Sequence, residues 1–280
     1  MSDKPATSVN LLTVAGIAAV AYVVTTLAHE GGGHGAMCVA VGGHPVGWGA
    51  YYFDCDTRGL PEWTRRAIAA AGSTVNLILC GAFSLLLSAD LKRSGGLKRS
   101  GNHGAWTVFL WLMAAINGYT WAGYFFFSGV AGIGDWGVAP DAFLYQLPQQ
   151  TIIRIVMATA GMGLYLLLVK AMGRFMMRIV GSDRLDLVRR ISWTAYGAGG
   201  IVALLIGLMN PVGLVIVLIS SLASSLGGTS GLYWGIYWMR PKAPVEGVSF
   251  TLGLNLPWIV AGVVSAGVYA AVFGPTLRFH

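Results

Sequence analysis

Charge is what this 280-residue chain has least of. It carries 18 basic and 11 acidic side chains, a tenth of the sequence, against 55% apolar residues and a mean hydropathy of +0.66. Such scarcity excludes both a water-exposed globular surface and a disordered chain. Cysteine is scarce too: Cys38, Cys55 and Cys80 are odd in number and imply no disulfide framework. There is no repeat of fixed period, and the first apolar stretch runs past the length of a cleavable leader, so it reads as a retained helix.

What is present is a series of charge-free intervals. A helix needs roughly 20 apolar residues to cross the hydrocarbon. The intervals hold 25 residues between Lys4 and Glu30, 23 between Arg66 and Asp90, 31 between His103 and Asp135, 15 between Arg154 and Lys170, 49 between Arg190 and Arg240, and 31 between Glu246 and Arg278. The longest breaks at Asn210-Pro211, because proline cannot continue a helix. The expectation is an all-α polytopic membrane protein with about seven transmembrane helices, near 10–41, 64–89, 104–130, 151–174, 191–210, 212–238 and 256–273. Arg154 is expected to snorkel outward, and six spans result if the serine-rich 212–238 is re-entrant.

Lysine and arginine accumulate in cytoplasmic loops. With the N-terminus inside, 13 of the 18 basic residues fall on inner segments, among them Lys92, Arg93, Arg174, Arg178, Arg189 and Arg190. The net charge of +7 is therefore a topology signal and calls for no nucleic acid. The expected setting is the lipid bilayer of a bacterial inner (plasma) membrane.

One segment breaks the apolar pattern: His29-Glu30-Gly31-Gly32-Gly33-His34. Ionisable residues at membrane depth are costly and functional by default. Of only three glutamates and five histidines, three lie within these six positions. A His-Glu-x-x-His helix puts two imidazoles on one face for zinc, with the glutamate as general base. Here the histidines are five apart, an overshoot of about 140° on a regular helix. The site therefore requires a π-bulge, which absorbs one extra residue and for which three glycines give backbone freedom.

A third ligand is expected at Asp135, since the first and third helices end on the same membrane face. Cys38 and His44 are alternatives, more ordinarily a buried small side chain and a loop histidine. Asn76 follows Ala71-Gly72-Ser73 on the second helix and Asn117 lies on the third; each reads either as a substrate-binding amide or as an interhelical hydrogen bond. The segment from Gly42 to Asp54 has strand-like and turn-like composition, and Trp48, Tyr51 and Tyr52 read equally as an interfacial aromatic belt.

Together, His29-Glu30 with His34, Ala71-Gly72 with Asn76, and Asp135 resemble, in order, the motifs of the site-2 protease family of intramembrane zinc metalloproteases. The resemblance covers roughly residues 10–140. It implies a three-helix core, one zinc ion on His29, His34 and Asp135, Glu30 as general base and Asn76 near the substrate. The chain departs from the family in the additional glycine, in the residues around Asp135, and in an outward-facing site where the family's faces the cytoplasm. Residues 1–142 would form the core and 143–280 a set of C-terminal helices in the same membrane domain. The expected function is hydrolysis of a peptide bond in a membrane-embedded peptide or protein substrate. The alternative is a non-proteolytic metal-binding membrane protein, a transporter or a degenerate relative.

Overall fold

The computed structural model describes residues 8–93, 98–211, 220–241 and 249–279. The first helix begins at an Asn10 cap whose side chain accepts a hydrogen bond from the Thr13 amide at 3.0 Å, one of the free donors at a helix start. It runs as α1 (Leu11–Leu27), widens into a π-helical segment (Ala28–Gly35) and resumes as α2 (Ala36–Ala40). An antiparallel hairpin follows, β1 (His44–Gly49) and β2 (Tyr52–Asp56), then α3 (Glu62–Arg93). Strand β3 (Lys98–Arg99), α4 (Gly101–Ala131), α5 (Gln150–Val180) and α6 (Leu185–Leu208) come next.

Among the described residues, five helical stretches are long and apolar enough to span a membrane: Leu11–Ala40, Glu62–Arg93, Gln150–Val180, Leu185–Leu208 and Leu256–Phe273. Seven were expected, and the two others differ for separate reasons. Helix α4 is long enough, but its glycines, asparagine and aromatic rings make it less apolar. It serves as the packed centre, buried almost continuously from Gly104 to Ala122. Of 212–238, residues 212–219 lie outside the described residues. The remainder is broken: a second π segment (Ala223–Gly227), a short α7 (Gly231–Trp234) and a 3-10 turn (Gly235–Trp238). Serines here bond backward to carbonyls, as Ser224 does to Ser220 O at 2.6 Å, a habit that bends helices.

The chain is also not purely helical. After β4 (Ser249–Phe250) and α8 (Leu256–Phe273), β5 (Leu277–Arg278) joins the hairpin to make a three-stranded sheet in the order β2-β1-β5, and β3 pairs with β4 in parallel. The Gly42–Asp54 region is thus a hairpin with a bulge between Pro45 and Gly47. Of its half-buried aromatic side chains, Trp48 packs on Gly31 and Phe273, and the Tyr51 hydroxyl donates to the Ala203 carbonyl.

Close packing depends on small residues, as in other membrane bundles. A Cβ on Gly16 of α1 would lie 2.6 Å from the Trp258 carbonyl oxygen in α8, and one on Gly161 of α5 would lie 2.4 Å from the Phe126 amide in α4. The C-terminal helices also pack on α1 through Tyr22, whose hydroxyl meets Thr229 at 2.6 Å. They are therefore part of the same packed body as the first three helices.

Candidate metal centre

The π-helical turn is the local cause of the site. It spans Ala28–Gly35, so His29 and His34, five residues apart, return to one face. Their Nε2 atoms lie 3.2 Å apart. Each glycine between them has its own surroundings: Gly31 lies under the Trp48 ring and Gly33 against the backbone of Gly72 in α3, while the Cβ position of Gly32 is open.

Asp135 arrives from the loop after α4. The helix ends at Gly132 with φ +74°, and Gly134 at φ +80° continues a turn that glycine adopts readily. The loop is tied down at several points. Gly137 N–H donates to Gly134 O, and Phe143 N–H donates to Asp135 O, both at 2.8 Å. Trp136 Nε1 donates to Ser73 Oγ at 2.8 Å. The half-exposed Arg154 guanidinium donates to the Gly129 and Val130 carbonyls at the end of α4. There it satisfies acceptors that a helix C-terminus leaves open.

The outcome is a triangle of ligand atoms. Asp135 Oδ2 stands 3.2 Å from His29 Nε2 and 3.5 Å from His34 Nε2. With the 3.2 Å between the imidazoles, the corners lie about 1.9 Å from the centre, and tetrahedral zinc at ~2.0–2.1 Å from its ligands spaces them by about 3.3 Å. Among the described residues, His29, His34 and Asp135 are the group that could hold a metal ion. His44 is exposed at the start of β1. Cys38 is joined in a disulfide to Cys55; no such link was expected from three cysteines, and it removes Cys38 from the candidate ligands.

The hydrogen bonds behind the triangle fix where the imidazole protons sit. His34 Nδ1 faces the Ile68 carbonyl at 2.7 Å; a carbonyl only accepts, so Nδ1 carries the proton. For His29 the assignment passes through two asparagines. Asn117 Nδ2 donates to Met113 O at 2.8 Å and to Thr25 Oγ1 at 3.0 Å, which turns Asn117 Oδ1 toward Asn76. Asn76 Nδ2 donates to that oxygen at 2.8 Å, leaving Asn76 Oδ1 to accept from His29 Nδ1 at 2.5 Å. With Nδ1 of each ring so occupied, Nε2 is the atom that each imidazole turns to the centre.

Three potential ligand atoms thus converge, and Asp135 Oδ2 is buried without a hydrogen-bond partner beyond the two rings. A cation resolves that convergence, and two imidazoles with one carboxylate are a zinc donor set. Burial works to raise the Asp135 carboxyl, but the His34 and His29 rings beside it hold it well below the usual carboxylate range. It is therefore ionised, as a ligand must be.

Asn76 and Asn117 are both fully buried and committed to this relay. Their amides act behind His29, so of the two readings of each the interhelical hydrogen bond is the one observed. Partners of this kind orient a metal-binding histidine, and their loss typically costs 10–100-fold in affinity. Asn76→Ala is accordingly expected to weaken zinc binding by about 10–100-fold in competition with a chelator; unchanged affinity would remove its orienting role.

Tyr124 stacks on the His29 ring at 5.1 Å, and a Cβ on Gly72 would stand 2.5 Å from His34 Nε2 and 2.6 Å from His29 Nε2. Glu30, 4% exposed, has its Oε2 buried with no hydrogen-bond partner. It borders a cavity of about 30 Å³ whose walls include Tyr22, Thr26, Tyr51, Tyr124, Ser225 and Thr229. That is space for one or two waters. Compared with protein families, characterised proteins and solved structures, the chain shows no significant match to any of them.

Proposed function

We propose that this chain is an intramembrane zinc peptidase that hydrolyses a peptide bond in a membrane-anchored substrate. The observation that carries the reading is the convergence of three ligand atoms beside a buried, unpartnered glutamate. His29, His34 and Asp135 would hold the zinc. Bound there, zinc would supply a Lewis acid that polarises a carbonyl and makes water acidic near neutral pH.

The protein's own residues supply the rest. Asn76 and the Ile68 carbonyl keep each imidazole turned to the centre through Nδ1. Glu30 Oε2 would accept a proton from water and hand it to the departing amine, general acid–base work in which one carboxyl serves both steps. The adjoining cavity admits water to a region that otherwise excludes it. A transport pathway needs polar groups distributed along a route through the bilayer, whereas among the described residues the buried ionisable side chains His29, Glu30 and His34 gather, with Asp135, at one end of the bundle.

The test is metal content. Purified full-length protein is expected to carry about one zinc per chain, measured by elemental analysis, with His34→Ala reducing it at least tenfold while the helical circular dichroism persists. A folded wild-type preparation that neither contains nor takes up zinc sinks the reading.

A further inference from the structure

The Cys38–Cys55 disulfide carries a statement about compartment. Cys38 lies four residues beyond His34, one turn of the same helix, and Cys55 lies in β2. The hairpin so fastened presses Trp48 onto Gly31 and Phe53 onto Gly35, so the crosslink belongs to the wall of the metal centre. Disulfides form and persist in oxidising compartments and are rare where cytosolic thiol systems operate.

A second signal is independent of redox chemistry. Helix α3 passes the metal centre at Gly72 and ends at Lys92 and Arg93. Twenty residues of helix cover about 30 Å, the thickness of the hydrocarbon core. The basic residues Arg178 at the end of α5 and Arg184 before α6 belong to the connection at the far end. Asp54, Asp56, Glu62 and Asp141 are on segments at the metal end. Basic residues mark the cytoplasmic side.

We propose that the metal centre opens to the oxidising, exoplasmic side of the membrane and that its substrates are membrane-anchored peptides cut in the outer leaflet. The orientation stands on the disulfide and the charges; the substrate class rests in addition on the peptidase reading above. From His34 to the end of α2 at Ala40 is about 9 Å of helix, so the scissile bond lies about that far below the exoplasmic end. The newly formed terminus on that side leaves away from the cytoplasm.

Full-length protein in right-side-out membrane vesicles provides the test. After free thiols are blocked before lysis, a proteolytic digest should contain Cys38 linked to Cys55, with only Cys80 alkylated. A Ser100→Cys variant places a thiol at an exposed position before α4, on the basic end. It should react with an impermeant maleimide at least tenfold more after permeabilisation than before. Recovery of Cys38 and Cys55 as free thiols, or full labelling of Ser100→Cys from outside, overturns the orientation. EDTA, which does not cross the bilayer, should strip zinc from sealed vesicles; zinc lost only on permeabilisation overturns the opening assigned here. A chain with the expected labelling but no zinc keeps the orientation and removes the outer-leaflet peptidase, so the two failures are distinguishable.

Discussion

Glu30→Gln is expected to leave zinc in place and stop hydrolysis. The amide matches the carboxylate in shape and volume, so the π turn and its neighbours keep their packing, and no atom of the His29–His34–Asp135 triangle is touched. Glutamine does not take up a proton at accessible pH, and loss of a positioned general base typically costs 10²–10⁴-fold in rate. The measurement is cleavage of a membrane-reconstituted helical peptide that the wild type cuts, with zinc determined on the same sample. Cleavage at the wild-type rate removes Glu30 from proton transfer. Loss of zinc instead makes Glu30 a ligand and requires a different base.

Gly72→Val is the second large effect, and it acts from a helix that supplies no ligand. The Cβ position is 2.5 Å from His34 Nε2 and 2.6 Å from His29 Nε2, distances at which something must move. The backbone of Gly33, in the same π turn, also packs against Gly72, so α3 cannot retreat without separating from that turn. The imidazoles would be pushed apart, and their bonds to Asn76 and Ile68 would break with them. Zinc content should fall at least tenfold. Gly81→Val is the control on the same helix, since its Cβ position is open and zinc there should be retained. Full zinc in Gly72→Val would show that the close approach of α3 is not required.

Much of this site was legible because membrane sequences are poor in charge. His29, Glu30 and His34 stood out against an apolar background, and their spacing required a widened turn that the structure has over Ala28–Gly35. Asp135 followed from counting helix directions, which needs no side-chain detail. The disulfide was missed because an odd cysteine count hides a pair, and because Cys38 was read as part of a buried helix with nothing to place Cys55 beside it. The Asn76–Asn117 relay was legible as two residues but not as a direction. Its polarity is set by a backbone carbonyl of α4, and such contacts leave no trace in residue types.

The span count failed for a different physical reason. Charge-free length is a necessary property of a crossing helix but says nothing of regularity, and the 212–238 interval contains serines that satisfy themselves on their own backbone. Helix α4 failed in the opposite sense: its aromatic and polar residues face protein from Gly104 to Ala122, where apolar content is not needed. Arg154, half-exposed near the start of α5, also caps the end of α4.

The π turn also sets how far apart two kinds of metal helix are. Because the widening takes up one residue within Ala28–Gly35, the stretches before and after it keep the faces they would have in an unbroken helix. Tyr22 still meets Thr229, and Cys38 still meets Cys55. The fifth step between the histidines is thus absorbed within the π turn. Gly32 touches nothing at its Cβ position, and its deletion returns the histidines to a four-residue spacing on an ordinary α-helix. The five-residue and four-residue forms are then neighbours separated by a single codon, and a zinc-loaded Gly32-deleted chain would be the direct sign of it.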